Sequence, residues 1–184
     1  MPDMKAGFGI TAMLFSFLMA GCASREPLCV VPAVDLERYA GLWYEVAKYP
    51  NWFQRSCASG TIAKYALRED GRVDVQNQCL RADGSVIEAR GVARVVPGSG
   101  NAKLKVRFGW SPLAGDYWVL GLDEQNYSWA LVGHPSRKFL WILSRTAKLP
   151  LKTFGEVVAL AEELGYDVSR IELTSQTCAP EGGL

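Results

Sequence analysis

Alternation of apolar and polar side chains on both sides of a tight turn limits most strongly how this chain can fold. The segment KYALREDGRVDV, residues 64–75, places Asp70-Gly71 between two such runs. An Asp-Gly pair in this setting predicts a β-hairpin. The resulting register puts Tyr65 near Val75 on the mainly apolar face, with charged side chains on the other face.

Similar alternating runs continue along the chain. They cover residues 85–96, 103–110, 116–123, 127–134 and 139–145, and short turns separate them. Within 103–107, lysine and arginine alternate with leucine and valine. Short strands that follow one another by hairpins favour an antiparallel barrel or sandwich over βαβ units. Because the charges share one face, we expect that face in water and an apolar interior.

The pattern changes after Pro150, where apolar residues recur at helical spacing. Thr153 and Glu156 have the spacing of a capping box, which predicts Thr153 as the residue that caps the helix. Gly165 is expected to end this helix, and a last short strand is expected over 168–174. The residues alone therefore predict seven strands, one helix and one further strand.

The N-terminal segment has the order of an export signal. A lysine precedes the apolar run of residues 6–20, which has the length of a signal-peptide core and is short for a membrane span. The run ends in LMAGC, which resembles the bacterial sequence whose cysteine, here Cys22, is acylated and becomes the first mature residue. An ordinary secretory signal or a buried apolar helix is the alternative. The expected organisation is a signal peptide over 1–21, a lipidated linker over 22–34, one folded domain over 35–178 and a disordered tail over 179–184.

The composition excludes several classes of function. Lys and Arg total 20 against 19 Asp and Glu, so the chain lacks the basic footprint of a nucleic-acid-binding protein. His134 is the only histidine and the cysteines lack metal-ligand spacing, so no metal site is predicted. A Ser-His-Asp arrangement through His134 would lack a nucleophile-elbow motif. We therefore predict no catalytic residues and no cofactor.

Three segments resemble, in order, the motifs of the lipocalin family, specifically the lipoprotein lipocalins of the bacterial outer membrane. The matching residues are Gly41 and Trp43 in GLWYEVAKYP, Asp116 and Tyr117 in DYWVLGLD, and Arg145 in LWILSRT. The resemblance covers about residues 35–172. It implies an all-β fold: an eight-stranded antiparallel up-and-down barrel around an apolar cavity, with one C-terminal α-helix packed outside.

The resemblance also implies a structural role for two of these residues. In the family, the tryptophan of the first motif closes the bottom of the barrel and packs against the arginine of the third. Trp43 and Arg145 are therefore expected to form a cation–π contact. The stretch 41–50 is interpreted as the lead-in to the first strand, with Gly41 allowing the chain to turn beneath the barrel.

Ligand contacts are expected from the inward faces of the strands. Small inward residues beside large ones favour a cavity, although each large side chain alone would also fit as filling. Tyr65 and Asn77 are the candidates for meeting the polar head of a ligand. The predicted ligand-binding residues are Tyr65, Val75, Asn77, Val106, Phe108, Trp118, Leu131 and Trp141.

Four cysteines remain after Cys22, and export would place them in an oxidising compartment. Four cysteines allow three pairings. We favour Cys57–Cys79 with Cys29–Cys178, although Cys57–Cys178 also has parallels among lipocalins. Because the hairpin register puts Thr61 opposite Cys79, Cys57 reaches Cys79 only if the strand bends.

The leading hypothesis is a lipid-anchored lipocalin that faces the periplasm from the bacterial outer membrane. It would bind a fatty acid or lysophospholipid and store or transport lipids for membrane maintenance under envelope stress. Its partners would be this amphiphilic ligand and, through the anchor, the membrane; a monomer and a homodimer both stay open. One alternative is an enzyme of the same fold acting on a small hydrophobic substrate. The other is a structural lipoprotein with a filled barrel.

Overall fold

The computed structural model describes residues 27–109 and 111–176. The predicted signal peptide, Cys22 and the tail over 179–184 lie outside the described residues, so these predictions stay predictions. Within the described ranges, no helix combines the length and the apolar character needed to cross a bilayer.

Eight antiparallel strands form one closed sheet. They are β1 Gly41–Lys48, β2 Ser59–Leu67, β3 Val73–Leu80, β4 Val86–Val95, β5 Lys103–Phe108, β6 Gly115–Leu122, β7 Trp129–Gly133 and β8 Leu140–Ser144. Each strand pairs with the next, and β1 pairs with both β2 and β8, which closes the barrel. Helix α1, Leu36–Tyr39, precedes the barrel; helix α2, Leu151–Glu163, and the two-residue strand β9, Glu172–Leu173, follow it. The predicted eight-stranded barrel with one main C-terminal helix is confirmed.

The first barrel strand is a correction to the sequence prediction. The stretch that begins at Gly41 is β1 itself and not a lead-in to the first strand. The pairing of β1 with β8 shifts register between Glu45 and Ala47, so Val46 and Ala47 are both buried. This β-bulge interrupts the alternation of inward and outward side chains, so the sequence pattern did not indicate a strand here.

The last predicted strand is also shorter than expected. A 3₁₀ turn over Val168–Arg170 replaces its first half, and only Glu172–Leu173 pairs with β1. By contrast, the register of the first hairpin is as predicted, with Tyr65 opposite Val75. Gly71 adopts φ +76 in that hairpin, a backbone conformation that glycine takes at little cost.

Helix α2 begins differently from the prediction and ends as predicted. Pro150 occupies the N-cap position without a side-chain bond, so Thr153 lies inside the first turn and the predicted capping box is wrong. Proline suits this end because its missing N–H would have had no partner within the helix. At the other end, Gly165 takes φ +81, and its N–H donates to the carbonyl of Glu162 at 2.8 Å.

The apolar side chains form two clusters. One fills the lower barrel around Trp43, and the other lies between α2 and the outer face of β7 and β8. Val157 and Ala161 of α2 are fully buried in this second cluster. The approach is close, because a Cβ on Gly121 would lie 2.5 Å from Leu160 Cδ2. Strands β7 and β8 are therefore apolar on both faces.

The closed end of the barrel is built around Arg145 and Trp43. The guanidinium carbon of Arg145 lies 3.9 Å from the centre of the Trp43 ring. Trp43 is fully buried, and its Nε1 donates to the carbonyl of Tyr39 at 2.8 Å. Gly41 has φ +96, and a Cβ there would lie 3.4 Å from the guanidinium. The glycine thus lets the chain turn directly beside the arginine.

The same guanidinium also binds backbone from three segments. It donates to the carbonyls of Arg38 at 2.6 Å and Ala40 at 2.9 Å, at the end of α1. It further donates to Leu42 in β1 at 2.8 Å and to Tyr127 before β7 at 3.3 Å. Arg145 therefore holds α1 against the base of the barrel.

Arg145→Lys should lower the free energy of unfolding by about 2–3 kcal/mol, because lysine keeps the charge but cannot reach four carbonyls with a planar fork. Urea unfolding followed by tryptophan fluorescence measures the change. Arg68→Lys is the matched control, since Arg68 pairs with Asp74 on the surface. This control should cost less than about 1 kcal/mol. Equal losses in the two variants would contradict the role given to Arg145.

Candidate functional site

The barrel encloses a cavity of about 900 Å³ that opens at one end. Its upper part is lined by the connections β1–β2, β5–β6 and β7–β8, which we call the mouth. Its lower part reaches α1 at the closed end. The volume lies within the range of about 300–1,000 Å³ that is usual for sites of small ligands.

Six of the eight residues predicted to contact a ligand line this cavity. They are Tyr65, Val75, Asn77, Val106, Phe108 and Trp141. Small neighbours on the same faces, such as Ala63, Ala89 and Ala93, leave the space open between them. A contact between these six residues and a ligand stays a prediction.

Trp118 and Leu131 do not line the cavity, and the prediction that they point inward is wrong. Leu131 is fully buried in the cluster beneath α2. Trp118 lies outside as well, where the ammonium of Lys103 sits 4.1 Å from its ring centre. Their strands are apolar on both faces, so the pattern does not show which face is inside. Asp116 lies two residues before Trp118 and so shares its face of the strand. The charge of Asp116 could have indicated that this face points outward.

Three tyrosine hydroxyls meet at the floor of the cavity. Tyr117 Oη lies 2.8 Å from Tyr39 Oη and 3.1 Å from Tyr65 Oη. Burial raises the pKa of all three hydroxyls, to about 12 for Tyr65. They therefore stay protonated and neutral at physiological pH. Sequence reasoning missed Tyr39, because it belongs to α1 and not to a strand.

Glu45 is a buried carboxylate in the wall of the cavity. It is 3% exposed, and it accepts hydrogen bonds of 2.6 Å from Gln54 Nε2 and from Thr174 Oγ1. Lys48 Nζ lies 3.4 Å from Glu45 Oε1, and its positive charge offsets that of the carboxylate. Sequence reasoning also missed this lining residue, although a period of two from Trp43 would place Glu45 inside. The carboxylate is fully engaged by protein groups.

Gln54 connects this wall to the mouth. Besides its bond to Glu45, its Oε1 accepts from Trp141 Nε1 at 3.0 Å and from Asn51 Nδ2 at 2.5 Å. Gln54 ends the 3₁₀ turn Trp52–Gln54 in the β1–β2 connection. This network therefore holds that turn over the opening.

A disulfide fixes the other end of the same connection. Cys57 and Cys79 are bonded, as predicted, and they join the β1–β2 connection to β3. The pairing of β2 with β3 shifts register between Ser59 and Ile62, which supplies the bend that the bond requires. Cys29 is exposed and forms no disulfide with another described residue, and Cys178 lies outside the described residues. The predicted second pair stays a prediction.

Aromatic rings crowd one side of the mouth. The ring centre of Phe139 lies 5.7 Å from that of Phe53 and 6.0 Å from that of Trp141. Phe53 and Trp141 also approach to 6.3 Å. On this side, the upper part of the cavity is thus apolar up to its edge.

His134 lies beside this cluster, in the β7–β8 connection. Its Nε2 is 3.7 Å from Asp116 Oδ2, and its Nδ1 is 2.8 Å from Ser136 Oγ. Nδ1 also accepts from the backbone N–H of Ser136, and Asp116 is paired with Lys105 at 2.8 Å. Burial lowers the pKa of His134 against the opposing effect of Asp116. Both Ser136 contacts belong to one local turn, which accounts for the arrangement without a catalytic role.

The chain is similar to several known proteins. Residues 34–176 match the family described as a lipocalin-like domain. The chain is 40% identical over 162 residues to temperature-induced lipocalin-1 of Arabidopsis thaliana, covering 85% of the chain and 87% of that protein. It is 37% identical over 170 residues to outer membrane lipoprotein Blc of Vibrio cholerae, covering 91% of the chain and 98% of that protein.

Solved structures share the fold. Insecticyanin of the tobacco hornworm Manduca sexta superposes with a TM-score of 0.66 at 25% identity, covering 82% of the chain and 85% of that structure. Lobster apocrustacyanin A1 superposes with a TM-score of 0.64 at 20% identity, covering 80% of the chain and 91% of that structure. The second likeness concerns the fold alone.

The tyrosine cluster predicts a loss of stability at alkaline pH. The unfolded chain releases the Tyr65 proton near pH 10, whereas the folded chain keeps it until its pKa of about 12. Stability is therefore complete below pH 10 and falls above it, by about 2 kcal/mol at pH 12 through Tyr65. Urea unfolding between pH 9 and 12 measures this slope. Tyr65→Phe should make the slope less steep, because only Tyr39 and Tyr117 then contribute, and an unchanged slope would contradict the assignment.

Proposed function

The chain belongs to the lipocalin family, and on that premise we propose that it is a lipid-binding lipoprotein of the bacterial outer membrane. Membership of the family implies a site for a small hydrophobic ligand. The finer proposal is that the ligand is a fatty acid or a lysophospholipid. The chain would store or transport such lipids for membrane maintenance under envelope stress.

The open cavity is the observation that carries this proposal. Its volume of about 900 Å³ and its mostly apolar lining suit an acyl chain. Each methylene group moved from water into such a cavity contributes about 0.8 kcal/mol. The neutral tyrosine hydroxyls at the floor place no charge in the path of the chain. Binding would therefore depend on burial of the acyl chain.

Polar groups at the mouth suit the head group of the same ligand. Asp116, Lys105 and His134 lie at its edge, and Arg55 is exposed beside it. A head group left in this region keeps contact with water while the acyl chain is buried. This division supports an amphiphile, with its chain pointing towards the floor.

Lipid extraction and mass spectrometry of the purified chain test the proposal. We expect an acyl lipid in about equimolar amount, and we expect Ala89→Phe to bind palmitate at least about tenfold more weakly. Ala89 lines the cavity, so a ring there occupies the space of the acyl chain. Arg90→Phe puts the same ring on the outer face of β4 and should leave binding unchanged. The proposal would be overturned if no lipid is extracted from the purified chain and the chain also fails to bind added amphiphiles.

The relatives named outer membrane lipoproteins support the proposed location. Acylation of Cys22 by several chains would hold the domain stably, which a single chain does not. Cys22→Ala should therefore remove the chain from the outer-membrane fraction of fractionated bacterial cells. Cys29→Ala is the matched control, and it should leave the chain in the membrane fraction. Retention of the Cys22→Ala chain in the outer membrane would contradict anchoring at this residue.

A further inference from the structure

We propose that the mouth of the barrel docks on the same lipid leaflet that holds the N-terminal anchor. The inference rests on the proposed lipidation of Cys22 and adds an orientation to it. The open end, and not the closed end, would face the bilayer. Three features of the described residues carry this orientation: the exposed side chains around the mouth, the course of the N-terminal arm and the charges beside the mouth.

The first feature is a set of exposed apolar side chains at the mouth end. Trp52 and Phe53 project from the β1–β2 connection with 64% and 41% of their surface exposed. Val86, at the start of β4, is 53% exposed, and Leu113, in the β5–β6 connection, is 78% exposed. We call these four residues the apolar rim. Exposed apolar side chains at the end where the cavity opens present a surface suited to a bilayer interface.

The N-terminal arm is the second feature. Pro27 and Leu28 form a groove with residues 135–137 of the β7–β8 connection and with Lys103 and Trp118 on β5 and β6. From there the arm passes to the closed end, where Val31 packs in the cluster around Trp43 and its N–H donates to the carbonyl of Val119 at 3.0 Å. Farther along, Val34 N–H donates to the carbonyl of Gly100 at 2.8 Å. The arm thus begins beside the mouth and ends at the closed end.

This course makes the tether short. Leu28 is 7% exposed in the cluster beneath α2, so the arm is fixed from that residue onward. Cys22 lies six positions earlier in the chain. Six residues span at most about 20 Å when fully extended. An acylated Cys22 therefore keeps Leu28, and with it the neighbouring β7–β8 connection, close to the bilayer.

The charges beside the mouth are the third feature. Arg55, in the β1–β2 connection, and Lys138, in the β7–β8 connection, are both exposed. Asp116, near the start of β6 at the mouth, is paired with Lys105. Exposed cations next to apolar side chains suit a leaflet that contains anionic lipids, and each contributes about 1 kcal/mol near such a surface.

Docking in this orientation gives the ligand a short path. An acyl chain would pass from the leaflet between the rim residues into the cavity without crossing bulk water. The transfer therefore avoids exposing the methylene groups to water, which costs about as much as their burial gains. The anchor would then supply orientation as well as location.

The test uses the mature chain from residue 22 onward carrying Cys22→Ser, so that neither an acyl group nor the apolar run of residues 6–20 contributes to binding. We expect this chain to associate with vesicles of phosphatidylethanolamine and phosphatidylglycerol in a flotation assay. Leu113→Ser and Val86→Ser should each weaken the association about fivefold, because each removes one inserting side chain. Leu151→Ser is the matched control, since Leu151 is 89% exposed at the start of α2, at the closed end. It should leave the association unchanged.

Several outcomes would overturn the docking proposal. One is no vesicle association by the Cys22→Ser chain, and another is an equal loss in the Leu113→Ser and Leu151→Ser variants. A third is a dimer in sedimentation that Leu113→Ser converts to a monomer while vesicle association stays unchanged, which would make the rim an interface between two copies. Palmitate binding without vesicles, measured on the same variants, separates these outcomes from a failure of the proposed function.

Discussion

One guanidinium holds the closed end of this barrel together. Arg145 lies over Trp43 and binds the backbone of α1, β1 and the segment before β7. Because α1 carries Tyr39, the position of the cavity floor depends on that contact. The arginine is therefore the reason that the eight strands enclose a cavity of defined depth, although it does not itself line the cavity.

The two ends of the barrel are stabilised by different chemistry. The closed end combines buried rings with hydrogen bonds to backbone carbonyls, which leave little freedom to adjust. The mouth depends on the bonds of Gln54, on the Cys57–Cys79 bond and on stacked rings at its edge. A rigid base and an apolar, loop-built opening suit a protein that must admit a ligand without losing its fold.

The sequence predicted the parts of the fold that follow from period and turn chemistry. The Tyr65–Val75 register and the end of α2 at Gly165 follow from local rules and are confirmed. The bulge in β1 and the inward face of β6 do not, because both depend on how distant elements pack. The sequence analysis placed Trp118 inside the barrel because α2 covers the outer face of the neighbouring strands, and this makes those strands apolar on both faces. Tyr39 was missed because a helix, and not a strand, brings it to the cavity.

The Cys57–Cys79 bond has a consequence for when the binding site becomes complete. It attaches the end of the β1–β2 connection covalently to β3, while Gln54, earlier in the same connection, is held by hydrogen bonds to Glu45 and Trp141. In a reducing compartment only the noncovalent half of this attachment would exist. On the proposed route through an oxidising compartment, the entrance would acquire its final width only after the chain has left the cytosol.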